Sequence, residues 1–524
     1  MLLQDFLSSK EGNFASMTAV MLPVLLGAIG LAVDVGTMSS AHSKLQTAVD
    51  AAVLAASRIN DKALDREQVF KDYLAGNLVG EARLANLVSS LDVDQGINYI
   101  STTGRASADV DLFFAAFIGS GNRVSVSASA FESRNNLEVV MALDNTGSMG
   151  SARMAELRKA ATSLVDILST VHMPDSEPKR VVKAALVPFV TAVNVKGEGF
   201  DLSWIDNYVD PLTLLNKSYG ARYHGSSFTP QTNHFELFKA LGTEWKGCVE
   251  ARPSPYNLSD AAPDITNPDT LFVPYFAPDN PGKNATSPNS GTAWNNSYLN
   301  DTFGKNDQAK LMQAARYYNV ASKDKTINAV DYHQSRTTGP NYACPTPILP
   351  LTSDFDKLKT EIAKMIHWEG SGTNVSEGLA WSVRVLSPGE PYTQGAPFNS
   401  ENTSKFVVVF TDGENTVFGA SSQAYNKSDY GSYSFLDHGR LGETDRSKAL
   451  SKVNTMTKDV CTDLKSKSVE IFTVLLGADT AANRKLYSEC ATTTEHYYPT
   501  SDVSELDTVF RKIASRIAKL YVTD

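Results

Sequence analysis

The sequence predicts an α/β protein whose main domain is a doubly wound, mostly parallel sheet, preceded by a transmembrane helix and a small β-rich module. Three observations support this prediction. Short apolar runs alternate with amphipathic helical patterns from residue 137 onward, residues 13–33 form an uncharged apolar segment, and residues 89–135 alternate between apolar and polar side chains. Strands that alternate with helices imply βαβ crossovers, which place the strands parallel in one sheet.

The apolar runs of the main domain are continuous rather than alternating, which is typical of strands covered on both faces of a sheet. Between these runs, apolar residues recur at helical spacing, for example along residues 154–168 and 506–520. The predicted strands are LEVVMALD (137–144), VVKAALVPF (181–189), FVVVF (406–410) and VEIFTVLL (469–476).

The periodicity fails between residues 196 and 345, where Asn, Pro, Ser, Gly and aromatic residues are frequent. A structureless loop of this length is improbable in a compact domain, so we expect an inserted subdomain with an aromatic core of its own. The predicted parts are an anchor with its continuing helix at residues 1–60 and a small α+β linker module at 61–135. The main domain consists of two segments, 136–195 and 346–524, and the insertion between them is 196–345.

The uncharged segment at residues 13–33 is long enough to cross a membrane. As a helix it spans about 32 Å, against a hydrocarbon core of ~30 Å. A cleaved signal peptide is the alternative, but the preceding residues are not basic and no small-x-small cleavage site ends the apolar run. The helical pattern also continues through Leu45, Ala48, Val49 and Ala52. We therefore predict an uncleaved, single-pass anchor.

The composition excludes several classes of function. A net charge of -10 without any basic run argues against nucleic-acid binding. The sequence contains no GxSxG, P-loop or HExxH motif, and a phosphoaspartyl hydrolase would carry Asp at the position of Thr146. The eight histidines are scattered. We therefore predict a protein that is not an enzyme and has no small-molecule substrate.

The four cysteines are Cys248, Cys344, Cys461 and Cys490. The absence of a CxxC pair disfavours a zinc site, which leaves four free buried thiols or two disulfides. The membrane segment favours disulfides in an oxidising compartment. Cys461 and Cys490 lie near the ends of one predicted helix–strand–helix unit, so we pair them, and the other two form the second pair.

Five oxygen-bearing side chains lie where the predicted sheet would bring them together. Asp144, Thr146 and Ser148 follow one strand, Asp412 follows another, and Thr373 precedes a helix. In an open parallel sheet, ligands bind beyond the carboxyl ends of the strands. Hard cations such as Mg²⁺, Mn²⁺ or Ca²⁺ prefer oxygen ligands. Two carboxylates and three hydroxyls leave one coordination position, which we expect a carboxylate of a partner protein to fill.

These fragments resemble the metal-ion-dependent adhesion site (MIDAS) of von Willebrand factor type A (vWA) domains, D-x-S-x-S followed by T and then D. The resemblance implies a vWA, Rossmann-like main domain. It also implies that Thr146, Ser148 and Thr373 are direct ligands and that Asp144 and Asp412 act directly or through water. Thr146 stands where the family usually has Ser, and it keeps the hydroxyl. Glu377 and Glu414 lie nearby, and we expect them on the solvated surface.

The N-terminal run GNFASMTAVMLPVLLGAIGLAVDVG followed by LQTAVDAAVLAAS resembles the TadE/TadG-like segment of Flp pilus-assembly proteins. Together with GCVEAR (247–252) and ACP (343–345), the layout resembles TadG-type proteins. The resemblance implies a pilin-like first helix, an anchor in the bacterial inner membrane, a periplasmic bulk and partners in the Tad pilus machinery.

The predicted function is that of a membrane-anchored periplasmic vWA protein of the Tad/Flp pilus machinery that binds a protein partner through a metal ion. Two alternatives remain. Residues 1–60 could pack into a filament, which would make the chain a structural pseudopilin-like component. The main domain could also be a generic vWA adhesion module or a chelatase-type interaction subunit, and the latter would be cytosolic.

Overall fold

The chain is described by a computed structural model that divides into two compact units, residues 1–133 and 134–522. The described residues are 13–57, 65–95, 99–113, 122–133, 136–175, 180–206, 227–229, 232–280, 296, 298–299, 310–318, 338–370, 372–417, 426–477 and 480–519. The predicted N-terminal end of the anchor, residues 1–12, lies outside them.

The first unit combines a long helix, a short helix and an antiparallel sheet in the order β1-β2-β3. The second half of the long helix buries an apolar face that includes Leu45 and Val49, against Phe70 of the short helix and Ala108 and Val126 of the sheet. The elements are α1 (Asn13–Ser57), α2 (Arg66–Asn77), β1 (Leu84–Gln95), β2 (Tyr99–Val110) and β3 (Arg123–Ser133). The predicted anchor helix and β-rich module therefore share one hydrophobic core.

Among the described residues of its unit, the first half of α1 has no such partner. It is the one helix among the described residues that is long and apolar enough to cross a membrane. Its large apolar side chains are exposed: Met17, Val20, Met21, Leu22, Val24, Leu25, Leu26, Ile29, Leu31, Val33 and Val35.

The second unit is built on a six-stranded sheet in the order β11-β10-β9-β4-β5-β8, in which only the edge strand β8 runs antiparallel to its neighbour. Numbered by their sequence within this sheet, the strands follow the doubly wound order 3-2-1-4-5-6. The predicted fold class is therefore confirmed. The strands of this unit are β4 (Asn136–Asp144), β5 (Val182–Phe189), β6 (Val193–Asn194), β7 (Cys248–Val249), β8 (Leu349–Thr352), β9 (Thr403–Thr411), β10 (Val469–Leu476) and β11 (Tyr497–Thr500).

Helices cover both faces of this sheet. Val139 and Val140 are neighbours in β4 but belong to different apolar clusters, one beneath α3, α6 and α10 and the other beneath α7, α8 and α9. The continuous hydrophobicity of the central strands follows from this arrangement, since each strand is buried on both sides. The helices are α3 (Gly150–Thr170), α4 (His234–Leu241), α5 (Ala315–Tyr318), α6 (Phe355–Lys364), α7 (Val375–Leu386), α8 (Arg446–Ser466), α9 (Ala481–Cys490) and α10 (Leu506–Lys519).

The described part of the insertion does not enclose a core separate from the sheet. Its aromatic side chains, among them Trp204, Phe276 and Tyr317, belong to the same buried cluster as Val407 of β9 and Trp381 of α7. Edge-to-face contacts join several of these rings, for example Phe276 with Tyr317 at 5.3 Å between centroids. The aromatic residues thus act as core, as expected, but this core is continuous with one face of the sheet.

Both disulfides have the pairing that the sequence predicts. Cys248 at the start of β7 is bonded to Cys344, across 96 residues of the chain. Cys461 of α8 is bonded to Cys490 at the end of α9, across 29 residues. All four cysteines are buried. The first bond closes residues 248–344 of the insertion into one loop, and the second joins two helices on one face of the sheet.

Candidate metal centre

Asp144 and Asp412 come together because β4 and β9 are neighbours at the centre of the sheet. Asp144 is the last residue of β4, and Asp412 follows the last residue of β9. The strand that follows β4 in the sequence, β5, lies on one side of this pair, and the strand that follows β9, β10, lies on the other side. The two carboxylates therefore lie at the topological switch point of the sheet, where doubly wound folds form their ligand-binding crevice.

Four of the five predicted ligands form one chain of short polar contacts. Oδ1 of Asp144 accepts hydrogen bonds from the backbone N–H of Thr146 at 2.8 Å and from its hydroxyl at 2.6 Å. Oγ1 of Thr146 lies 3.0 Å from Oγ of Ser148. The Ser148 hydroxyl in turn donates to Oδ1 of Asp412 at 2.7 Å. The contacts span 268 positions of sequence, from residue 144 to residue 412, so the fold assembles the cluster.

The loop between β4 and α3 is held by its neighbours. The backbone N–H of Asn145 donates to the carbonyl of Phe189 at the end of β5, and the N–H of Trp368 donates to the carbonyl of Asn145, both at 2.8 Å. Gly150 then starts α3 with φ at +54°, a left-handed value that favours glycine. These contacts fix the loop that presents the Thr146 and Ser148 hydroxyls.

Thr373, the fifth predicted ligand, lies in a loop tied to the same edge of the sheet. Its backbone exchanges two hydrogen bonds with Thr416, at 3.1 and 2.8 Å, and the N–H of Asn374 donates to the carbonyl of Val190 at 3.0 Å. Within the described part of the chain, the Thr373 hydroxyl makes no hydrogen bond to the other four predicted ligands. The structure thus joins four of them directly and anchors the fifth to the segment that follows Asp412.

Two residues of this cluster were missed by the sequence analysis. The hydroxyl of Thr411 donates to Oδ2 of Asp144 at 2.7 Å. Nη1 of Arg153 donates to Oδ2 of Asp412 at 2.8 Å, and its side chain remains 44% exposed. Thr411 could have been found from its place in Thr-Asp-Gly at the strand end. Arg153 carries no motif, since its role depends on where α3 begins.

The solvent exposure expected for Glu377 and Glu414 is found for one of the two residues. Glu414 is exposed, as predicted. Glu377 is buried, and its Oε1 accepts a hydrogen bond from Nε1 of Trp381 at 3.0 Å. The expectation of a solvated surface role for Glu377 is therefore wrong, because the first turn of α7 faces the aromatic core rather than solvent.

The charge of Asp144 is costly in this environment. The side chain is fully buried, and this burial, together with the nearby Asp412 carboxylate, raises the pKa of Asp144 to about 7. The hydrogen bonds from Thr146 and Thr411 act in the opposite direction but do not restore the ordinary value. A cation placed between the two carboxylates would remove this repulsion.

The donor set fits a hard divalent cation. All candidate ligands are oxygens, from two carboxylates and from hydroxyls, which suits Mg²⁺, Mn²⁺ or Ca²⁺ rather than a thiolate-seeking or imidazole-seeking metal. Among the described residues, no group of three or more His, Cys, Asp or Glu side chains could hold a metal by itself. A metal at this edge of the sheet would therefore depend on the hydroxyl oxygens.

Residues 12–58 match the family model described as Flp pilus-assembly TadE/G-like. Comparison with curated protein sequences finds no significant match. Among solved structures, the pilus adhesin SpaC from Lactobacillus rhamnosus GG is similar to 84% of this chain, at 9% identity and a TM-score of 0.31. The chain spans about a third of that adhesin, 35% of its length.

Two further structures are similar to most of the chain. The vWF domain of the type V pili tip protein Mfa5 from Porphyromonas gingivalis is 11% identical, with a TM-score of 0.32 over 75% of this chain and 98% of that one. Proximal thread matrix protein 1 from the mussel byssus, solved with a zinc-occupied MIDAS motif, is 12% identical, with a TM-score of 0.20 over 73% and 96%. The predicted resemblance to Tad proteins is confirmed for the first helix: the chain carries a TadE/G-like pilus-assembly segment at residues 12–58, followed by a doubly wound α/β domain.

Proposed function

We propose that this chain is a membrane-anchored component of a Tad/Flp pilus machinery that binds a carboxylate of a partner protein through a divalent metal. The single observation that carries the proposal is the continuous set of contacts from Asp144 through Thr146 and Ser148 to Asp412. It places hard oxygen donors at the switch point of the sheet, with one carboxylate whose charge a cation would stabilise.

Asp144, Thr146, Ser148 and Asp412 would hold the metal, with Thr373 reaching it from its neighbouring loop. When bound, the cation would supply a positive charge for one further anionic oxygen. The protein's own contribution is positioning: the Asn145 backbone contacts fix the hydroxyl-bearing loop before any ligand arrives. The Mg²⁺, Mn²⁺ or Ca²⁺ site would thus complete its coordination with a carboxylate from outside, and binding rather than catalysis would follow.

The exposed apolar half of α1 supports the membrane anchor. Eleven large apolar side chains between Met17 and Val35 are exposed, which in water would cost free energy and in a bilayer would not. Two disulfides within the second unit support an oxidising compartment for that unit. We therefore propose a single-pass protein of the bacterial inner membrane with a periplasmic second unit.

The alternatives lose support from two observations. The small-residue face of α1, including Ala41, Ala48 and Ala52, is buried in the core of the first unit, so it is not free to pack into a filament of pseudopilins. A cytosolic chelatase-type subunit would not be expected to keep two disulfides. The partner proposed is a pilus or Tad protein, with no nucleic acid and no small-molecule substrate.

Cross-linking in the native cell tests the proposal. A photoreactive amino acid at the exposed position of Glu414, two residues from Asp412, should capture a partner in a complex that chelator abolishes and Mg²⁺ restores. The same group at Asp356, an exposed position on α6, serves as the control and should show no chelator dependence. Capture at position 414 that is indifferent to chelator would contradict the proposal.

Replacing Arg153 with glutamine should tighten divalent-metal binding by about twofold to fivefold. The Arg153 guanidinium forms an ion pair with Oδ2 of Asp412, and its positive charge would repel a bound cation. The effect is modest because a half-exposed ion pair contributes only up to ~1 kcal/mol. Calorimetric titration with Mn²⁺ measures the change, and Lys159→Gln, an exposed cation on the same helix, is the control. Weaker binding in Arg153→Gln would show that Arg153 supports the site instead.

A further inference from the structure

A second feature lies beside the candidate metal centre. Thr373, Asn374 and Thr416 are among the residues that line a cavity of about 60 Å³. This volume exceeds the ~10–15 Å³ that holds one water molecule. The cavity is partly open to solvent, and Asp429, in the segment between β9 and α8, is among the residues that line it. The Thr373 loop is therefore shared between the metal edge of the sheet and this cavity.

Part of the cavity lining is polar and includes oxygen atoms without hydrogen-bond partners among the described residues. Asp429 is 8% exposed, and within the described part of the chain its carboxylate has neither a hydrogen bond nor an ion pair. The hydroxyls of Ser432 and Thr191, which also line the cavity, have no hydrogen-bond partner there either. Burial alone raises the pKa of Asp429 to about 7. A buried carboxylate without a counter-charge is costly, so this arrangement favours a ligand that supplies one.

A second part of the cavity lining is apolar. Val417, Leu436, Leu441 and Val453 line it, and three of them belong to a small apolar cluster separate from the main cores. A group bound in this cavity would therefore contact apolar side chains as well as one carboxylate and two hydroxyls. This combination of surfaces matches an alkyl stem that ends in a cation.

A lysine side chain has these properties. Its methylene stem packs on apolar surface while its ammonium carries one positive charge and three donors. One carboxylate and two hydroxyls offer three acceptors and one negative charge. A divalent cation at the same place would keep a surplus positive charge, because no second carboxylate lines the described cavity.

We propose that this cavity binds the ammonium group of a lysine side chain supplied by the partner protein. The attribution to the partner rests on the proposed function, whereas the ammonium site itself does not depend on the metal. The partner would then present a carboxylate to the metal and, near it, a lysine to Asp429. Two neighbouring contacts of opposite charge would fix the orientation of the partner and not only its affinity.

The test uses the full chain in detergent and n-butylammonium as the probe, at pH 8. We expect saturable binding by saturation-transfer NMR, competed by N-acetyl-lysine methylamide and absent for n-butanol. Asp429→Asn should weaken butylammonium binding at least tenfold, and Ser432→Ala about threefold. Asp437→Asn, which changes a partly exposed aspartate paired with Lys427, should leave it unchanged. Asp144→Ala should lose Mn²⁺ but keep butylammonium, which separates failure of this site from failure of the metal centre.

Three results would overturn the proposal. The first is equal butylammonium binding by the native chain and Asp429→Asn. The second is equal binding of butanol and butylammonium. The third is Mn²⁺ that remains bound to Asp144→Ala and is lost only when Asp429→Asn is added, which would make the cavity a second metal site. Loss of the fold does not confuse the outcome, because removal of an unpaired buried charge should leave the melting temperature of Asp429→Asn at or above that of the native chain.

Discussion

Replacing Asp144 with alanine should abolish divalent-metal binding, by more than about 100-fold in affinity, while the protein stays folded. Asp144 lies at the end of β4, and its carboxylate accepts hydrogen bonds from the hydroxyls of Thr146 and of Thr411 at the end of β9. The substitution removes a negative charge and releases the Thr146 loop at the same time. Loss of an outer-shell partner alone typically costs 10- to 100-fold in metal affinity, so loss of a charged ligand should cost more.

Calorimetric titration of the full chain with Mn²⁺ measures this effect. The fold should survive because burial and Asp412 already disfavour the charge of Asp144, which lowers what its removal costs. Asp166→Ala, on the exposed surface of α3, is the matched control and should bind Mn²⁺ as the native chain does. Unchanged Mn²⁺ uptake by Asp144→Ala would refute the assignment of the site.

Removing the disulfide between Cys248 and Cys344 by a double substitution to alanine should destabilise the protein by roughly 4–5 kcal/mol in the chain-entropy model. The bond closes 96 residues of a segment that lacks regular structure over much of its described length. Ordering such a segment costs conformational entropy that its few short helices and strands do not offset locally. The aromatic core of the insertion should therefore loosen first.

Urea unfolding followed by tryptophan fluorescence reports this change, because Trp204 and Trp245 of the insertion lie in the same buried cluster as Cys248 and Cys344. The double substitution of Cys461 and Cys490 is the internal comparison. Its loop of 29 residues gives a smaller loss, roughly 3–4 kcal/mol, on the same model. An insertion that unfolds at the same urea concentration with and without the Cys248–Cys344 bond would contradict the prediction.

The sheet could be predicted because its strands are buried on both faces. LEVVMALD and VEIFTVLL coincide with β4 and β10 to within one residue. Continuous apolar runs of this length form few structures other than a strand that is buried on both faces. The candidate ligands followed from the strand ends, where Asp144 and Asp412 are fixed by parallel pairing. The hydrophobic pattern and the parallel pairing of the strands both place these residues at strand ends, so their position could be predicted from the sequence.

The remainder depends on contacts between distant residues. Arg153 is an ordinary helical arginine until the fold sets it beside Asp412. Asp429 lies in a segment without periodicity, and only the packing of the region around Thr373 makes it a buried acid in a cavity. The insertion gave no helical or strand pattern because its order comes from aromatic packing on Trp381 and the sheet. No local propensity encodes such arrangements.

Anomalous scattering from crystals grown with Mn²⁺ tests the proposed metal centre, since it locates the ion without assuming its ligands. We expect one strong peak among Asp144, Asp412 and the hydroxyls of Thr146 and Ser148, with Thr373 beside it and one coordination position filled by solvent or by a carboxylate of another molecule. A peak elsewhere on the chain, or none at this edge of the sheet at saturating Mn²⁺, would contradict it.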